Sequence, residues 1–162
     1  MEKERRENES KTGRSGLAED FVTSEELLEW TRAMVAIPSY SGRKDQEAGV
    51  GRYIKEIFDR EGIECRIAPL KDGRCNVYAR LPGKGGGRSL LLNGHMDTVP
   101  AYGMEKAYEP WTDENGFLHG RGTSDMKGPL AAMMGAVIAL KRSGAILGGD
   151  LIFCGVADEE GA

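Results

Sequence analysis

Two short segments, made almost entirely of apolar residues, constrain the fold more than any other feature of this 162-residue chain. They are SLLLN at 89–93 and LIFCGVA at 151–157. Each is too short for a typical helix, and neither alternates between apolar and polar residues as a half-exposed strand would. Strands of this kind are typical of parallel sheets that are buried on both faces. The two segments therefore predict the strands of a central, mainly parallel sheet.

Three helical patterns precede or separate these segments. Thr23 and Glu26 form a capping-box pattern that opens the first helix. Apolar residues recur at helical spacing through 45–61, which predicts the second helix. Pro129 suits the first turn of a third helix, and Gly144 is placed to end it. Helices interspersed with buried strands indicate the α/β class.

The remaining segments complete the predicted domain. Strands are expected at 63–68 and 76–81, and a long loop at 94–127. Residues 1–20 alternate basic and acidic side chains without apolar periodicity, which predicts a disordered charged tail. The folded domain is therefore expected to occupy 21–162.

Composition excludes several classes of partner. A formal net charge of −4 argues against a nucleic-acid-binding surface built on bulk charge. The longest apolar run, 130–140, is shorter than the roughly 20 residues that a membrane span needs. The first 16 residues lack the apolar core of a secretory signal, so a cytoplasmic location is expected.

Polar residues of metal-binding type follow both apolar segments. His95 and Asp97 come directly after the first, and Glu159 and Glu160 after the second. Asp125 lies just before the third helix. Because ligands of open α/β sheets bind beyond the carboxyl ends of the strands, we expect all five side chains to converge on one rim.

Carboxylates crowded at such a rim repel one another unless a cation neutralises them. Histidine and carboxylate together suit zinc, and also cobalt or manganese. Residues two apart on an extended chain point the same way, so Asp97 can accept the second ring N–H of His95. Neighbouring Glu159 and Glu160 point in different directions, so one can bind metal while the other acts as a general base.

Each of these residues also has a simpler interpretation. Asp125 could merely cap the third helix, and the DEEG sequence at 158–161 could be a solvated acidic turn. The second histidine, His119, lies inside the predicted loop, and we interpret it as structural.

Three motifs in order, GHMDTVP, GRGTSDMKG and DEEG, resemble those of the co-catalytic zinc hydrolases. This family includes acetylornithine deacetylase, succinyl-diaminopimelate desuccinylase, aminoacylase-1 and carboxypeptidase G2. The resemblance implies a three-layer α/β catalytic domain. It also implies that His95 and Glu160 are terminal ligands of two different metal ions bridged by Asp125. Asp97 would orient His95, and Glu159 would be the general base.

The resemblance further implies hydrolysis of an amide bond in an N-acyl amino acid or short peptide, with two divalent ions, zinc first among them. It implies a cis peptide after Asp125 and a homodimeric full-length enzyme. The family's remaining metal ligands and its dimerisation domain have no counterpart in 21–162. We therefore expect this segment to be the N-terminal part of the catalytic domain, with weak metal affinity and little activity alone. The alternative is a non-catalytic metal-binding or protein-interaction module derived from the same domain.

Overall fold

The structure, a computed structural model, describes residues 20–161. Its α-helices are α1 (Ser24–Val35), α2 (Ala48–Arg60) and α3 (Gly128–Ser143). The strands of the main sheet are β1 (Glu64–Pro69), β2 (Cys75–Leu81), β3 (Leu90–His95) and β6 (Leu151–Val156). The strands β4 (Trp111–Thr112) and β5 (Leu118–His119) form a separate hairpin. Apart from Asp20, the tail predicted for 1–20 lies outside the described residues.

The helix ends follow the local sequence signals. The Thr23 hydroxyl accepts a hydrogen bond from the Glu26 backbone N–H, and the Glu26 carboxylate accepts one from the Thr23 N–H, which confirms the capping box. Gly144 ends α3 with a φ of 69°, as a left-handed C-terminal glycine does. The second helix begins three residues later than predicted, because Asp45 has a φ of 56°, which is not helical.

The main sheet has the strand order β1-β2-β6-β3 and is mixed. β3 and β6 run parallel, whereas β1–β2 and β2–β6 are antiparallel. The α/β class is confirmed, but the mainly parallel arrangement holds only for the β3–β6 pair among the described strands. The physical reason is the connection lengths: the short turn at Lys71–Gly73 can only join antiparallel neighbours, while α3 provides the crossover that a parallel pair needs.

Helices α2 and α3 pack against one face of this sheet, and α1 packs against α3. The rings of Phe58 in α2 and Phe153 in β6 meet edge to face at 5.2 Å, and both side chains are fully buried. Val77 of β2 and Met134 of α3 belong to the same buried cluster. This single apolar core fixes the relative positions of α2, α3 and the strands that carry the site.

The opposite face of the sheet is more open. Arg66, Tyr78, Leu91 and Ile152 line a surface depression there, and no described element covers it. Leu91 is 57% exposed, so the prediction that 89–93 is buried on both faces is wrong for the described residues. Residues 20–161 thus form two layers, and the third layer of the predicted architecture stays a prediction.

The predicted loop at 94–127 has some regular structure. It contains the β4–β5 hairpin, in which the rings of Trp111 and His119 stack at 4.4 Å. It ends in a kinked turn, Thr123–Lys127, in which Asp125 and Met126 are not helical and which leads directly into α3. Within residues 20–161 no helix combines the length and the apolar content that crossing a bilayer requires.

Candidate metal centre

The carboxyl ends of β3 and β6 lie side by side. Because the two strands are parallel, with His95 opposite Val156, the residues that follow each strand emerge at the same edge of the sheet. Asp97 follows β3 by two residues, and the acidic turn 158–160 follows β6. The kinked turn that carries Asp125, Thr123–Lys127, reaches this edge from the N-terminal end of α3.

The structure brings the predicted ligands together. The Nε2 atom of His95 lies 3.0 Å from Oδ1 of Asp125. One potential ligand atom each from His95, Asp125 and Glu160 lies within 4.8 Å of the other two. Oε2 of Glu159 lies 3.8 Å from the same His95 nitrogen. All four side chains therefore face one small region at the rim.

Asp97 is fully buried and contacts both the histidine and the acidic turn. Nδ1 of His95 lies 3.0 Å from the Asp97 backbone carbonyl oxygen and 3.5 Å from its carboxylate. The carboxylate accepts hydrogen bonds from the backbone N–H groups of Glu160, at 2.9 Å, and of Glu159, at 3.4 Å. The short contact that orients the ring is thus made by the Asp97 main chain, while its carboxylate binds the acidic turn.

Lys127 connects the turn that carries Asp125 to the end of α1. The peptide between Asp125 and Met126 is cis, as the family resemblance implied. The fully buried Lys127 side chain donates hydrogen bonds from Nζ to the carbonyl oxygens of Met34, at 2.9 Å, and Ile37, at 2.8 Å. These two carbonyls lie at the C-terminal end of α1, and burial lowers the pKa of Lys127 to about 7.

The electrostatics of the rim favour a cation beside His95. Burial of the ring opposes protonation, but its hydrogen bonds to Asp125 and to the Asp97 carbonyl, with the charges of both acids, raise the pKa of His95 above its usual value. The same negative charges attract a divalent ion, so proton and metal compete for Nε2.

The residues present fit a divalent metal ion. One imidazole nitrogen and two carboxylates are the ligand types that zinc accepts, and Nδ1 is already engaged, which directs Nε2 toward the acids. The Asp125 side chain remains 76% exposed, so its carboxylate is accessible from solvent. His119 lies elsewhere, with Nε2 3.0 Å from Oδ2 of Asp113, which agrees with a structural role.

Sequence reasoning missed three residues that contact the acidic turn or Ala157 directly before it: Glu47, Arg74 and Asn76. Glu47 contacts Asp158 from 111 positions away in the chain, and Asn76 contacts Ala157 from 81 positions away. None of the three belongs to a motif with recognisable spacing. No signal in the sequence could have placed them beside it.

Comparison with known proteins agrees with this geometry. Residues 91–162 match the model of "Peptidase family M20/M25/M40". A putative [LysW]-lysine/[LysW]-ornithine hydrolase of Pyrococcus furiosus is 40% identical over 141 residues, covering 87% of this chain and 36% of that protein. A probable succinyl-diaminopimelate desuccinylase of Staphylococcus epidermidis is 35% identical over 132 residues, covering 80% of this chain and 32% of that protein.

A solved structure shows the same fold. The Bacillus subtilis YXEP protein, described as a dinuclear metal binding peptidase from the M20 family, superimposes with a TM-score of 0.56 at 20% identity. The match covers 81% of this chain and 34% of that one. The chain spans about a third of the length of the curated relatives it matches. From the sequence matches and the three motifs at one rim, we conclude that residues 91–162 belong to peptidase family M20/M25/M40.

Proposed function

We propose that this chain supplies the metal-binding rim of a metal-dependent hydrolase that cleaves amide bonds in N-acyl amino acids or short peptides. The observation that carries the proposal is the convergence of His95, Asp125 and Glu160, whose ligand atoms lie within 4.8 Å of one another. The family assignment supports the reaction class, because its members are peptidases and related hydrolases.

The rim carries three carboxylates, those of Asp125, Glu159 and Glu160, and this negative charge fits two divalent ions better than one. In our proposal Asp125 would hold both ions, His95 one of them and Glu160 the other. The 76% exposure of the Asp125 side chain supports this role, and the dinuclear metal binding of the Bacillus subtilis YXEP protein supports a pair of ions. Zinc suits this ligand set best, with cobalt and manganese as alternatives.

Glu159 is the proposed general base. Its carboxylate is 62% exposed and lies 3.8 Å from the His95 ring, so it borders the metal site while remaining open to water and substrate. The ions, when bound, supply Lewis acidity toward water and the substrate carbonyl. Glu159 would take a proton from the attacking water and deliver it to the leaving amine.

The substrate class is inferred from the relatives. Their names describe a desuccinylase of succinyl-diaminopimelate and a hydrolase of [LysW]-lysine and [LysW]-ornithine. We propose a substrate of this general kind, and a homodimeric full-length enzyme. We also propose that the 162-residue chain alone binds metal weakly and has little activity, because the described residues converge on the site with only three direct ligands.

Calorimetric zinc titration of the chain tests the metal centre. We expect measurable binding, a loss of at least about tenfold in affinity for Asp125→Asn, and an unchanged affinity for His119→Gln. His119 is a matched control because its ring contacts Asp113 at the same 3.0 Å that separates the His95 ring from Asp125.

Two results would contradict these proposals. Equal losses in Asp125→Asn and His119→Gln would show that zinc does not bind at the rim. Two tight sites in the isolated chain would refute the expected weak affinity. If the full-length protein binds zinc but hydrolyses no N-acyl amino acid or dipeptide, the non-catalytic alternative gains support.

A further inference from the structure

The backbone of the acidic turn is held in an unusual way. Four consecutive N–H groups after β6 donate hydrogen bonds to side chains rather than to other backbone groups. The pairs are Ala157 to Oδ1 of Asn76 at 3.0 Å, Asp158 to Oε1 of Glu47 at 3.3 Å, Glu159 to Oδ1 of Asp97 at 3.4 Å and Glu160 to Oδ2 of Asp97 at 2.9 Å. Asp97 belongs to the metal centre, but Glu47 and Asn76 lie outside it.

Glu47 is a fully buried acid at the N-terminal end of α2. Burying a carboxylate is costly unless it is paired, and Arg74 pairs with it. Nε of Arg74 donates to Oε2 of Glu47 at 2.9 Å, and Nη2 donates to Oε1. The same Nη2 group lies 3.0 Å from Oδ1 of Asp158. One guanidinium therefore joins the start of α2 to the first acid of the turn.

Asp158 is the residue whose backbone conformation depends most on Glu47 and Arg74. Its φ of 71° lies in the left-handed region, which non-glycine residues adopt at a cost and keep only when their surroundings hold them there. Glu47 binds its backbone N–H, and Arg74 binds its side chain. Since Glu159 follows directly, the conformation at Asp158 sets the direction in which the next two carboxylates leave the sheet.

We propose that Glu47 and Arg74 are positioning residues of the metal centre. They hold Asp158 in its left-handed conformation, so that Glu160 reaches the His95–Asp125 pair while Glu159 stays at the open side. Their significance for metal binding rests on the proposed function, whereas their control of the turn does not.

A second arginine in the same chain provides a matched control. Arg142 also binds one glutamate through two nitrogens, Nε to Oε2 of Glu61 at 3.0 Å and Nη2 to Oε1 at 2.6 Å, and contacts a second acid, Glu26, at 2.8 Å. It sits at the C-terminal end of α3, opposite the end that adjoins Asp125. A general loss of stability should appear in variants of either arginine, whereas a positioning effect should appear only for Arg74.

Amide hydrogen exchange of the metal-free, 15N-labelled chain tests the inference. Asp158 is exposed, yet we expect its N–H to exchange at least about tenfold more slowly than an unstructured amide, because it is hydrogen-bonded. Arg74→Met should accelerate exchange at Asp158 and Glu159 several-fold. Arg74→Lys should restore part of the protection, and Arg142→Met should leave these amides unchanged.

Cobalt titration followed by visible absorption gives a second, metal-specific result. We expect cobalt affinity to fall about tenfold or more in Arg74→Met, as is typical when a residue that supports a ligand is removed, and to stay unchanged in Arg142→Met. If the wild-type chain gives no cobalt spectrum, the proposed function fails, and amide exchange alone decides the positioning role.

Equal exchange rates at Asp158 in wild type, Arg74→Met and Arg142→Met would overturn the inference. If Arg74→Met does not fold, the wild-type rates decide instead. Unprotected exchange at both Asp158 and Glu160 in the folded wild-type chain would then show that the turn is not held.

Discussion

At the scale of single residues, Asp97 shows how one buried side chain connects two strands. Its main chain contacts the His95 ring, and its two carboxylate oxygens accept the backbone N–H groups of Glu159 and Glu160. A carboxylate is suited to this position because both oxygens are acceptors, whereas an amide offers only one.

We therefore expect Asp97→Asn to destabilise the chain by about 1–3 kcal/mol, since the new NH₂ group would face a backbone donor in a buried site. Urea denaturation measures the free energy of unfolding. Asp72→Asn, at an exposed position, serves as the control and should change it by less than about 0.5 kcal/mol. Similar values for both variants would mean that the acidic turn does not depend on the Asp97 carboxylate.

Cys65 is a residue whose environment predicts a pH dependence. Burial, opposed by the charge of Lys55, raises the pKa of its thiol from 9.0 to about 11. At pH 8 the folded protein should therefore react with a thiolate-specific reagent about 100-fold more slowly at Cys65 than an ordinary thiol does. The reaction rate of wild type minus that of Cys65→Ser isolates this site.

The same shift has a defined sign for stability. Between pH 9 and about 11 the unfolded thiol loses its proton while the folded thiol keeps it, so rising pH favours the unfolded state. The contribution of Cys65 is present below pH 9 and is lost through this window. Wild type should consequently lose more stability than Cys65→Ser over that range, and parallel stability curves would contradict the assignment.

At the scale of elements, the position of Asp125 depends on how the turn Thr123–Lys127 is attached to two helices. The turn is attached to α3 by the chain and to the end of α1 by Lys127, whose Nζ donates to the carbonyls of Met34 and Ile37. Without that side chain, the Ile37 carbonyl would lose its donor, whereas the Met34 carbonyl would keep the Ile37 backbone N–H at 3.1 Å.

Lys127→Met should therefore destabilise the fold by about 1–3 kcal/mol, the usual cost of leaving a buried polar group unpaired. For a chain of this size the melting temperature should fall by several degrees. Lys141→Met makes the same substitution at an exposed position on α3 and should leave the melting temperature nearly unchanged. A melting temperature equally low in both variants would point to a general effect of replacing a lysine in this part of the chain rather than to loss of the anchor.

At the scale of the whole molecule, the two faces of the sheet are unequal. Helices cover the face that carries Phe153, which is fully buried, while Leu91 on the other face is 57% exposed in residues 20–161. The packing free energy of the described chain is thus concentrated on one side.

Substitutions on the two faces should have different costs. We expect Phe153→Ala to lower the free energy of unfolding by about 3–5 kcal/mol, because it leaves a cavity between α2 and the sheet. Leu91→Ser should lower it by less than about 1 kcal/mol, because the side chain is already largely solvated. Chemical denaturation of both variants measures this difference, and a large cost for Leu91→Ser would mean that its face is covered in solution.

The agreement between sequence and structure is best where the signals are local. The capping box at Thr23, the end of α3 at Gly144 and the strand at 151–157 are encoded by neighbouring residues, so they could be recognised without the fold. The extra strands of the 94–127 segment were missed because two-residue strands carry almost no periodic signal.

What the sequence by itself determined is the α/β class and the five polar residues at the rim, because strands and the residues that follow them are adjacent in the chain. Only the tertiary structure decided the strand pairing, the open face of the sheet and the contacts of Asp97, Glu47, Arg74 and Lys127. These contacts join residues that are distant in the chain, and their partners are often backbone N–H and C=O groups. Every residue carries such groups, so the packing of the chain decides which of them pair. The residue types in the sequence therefore give no indication of this pairing.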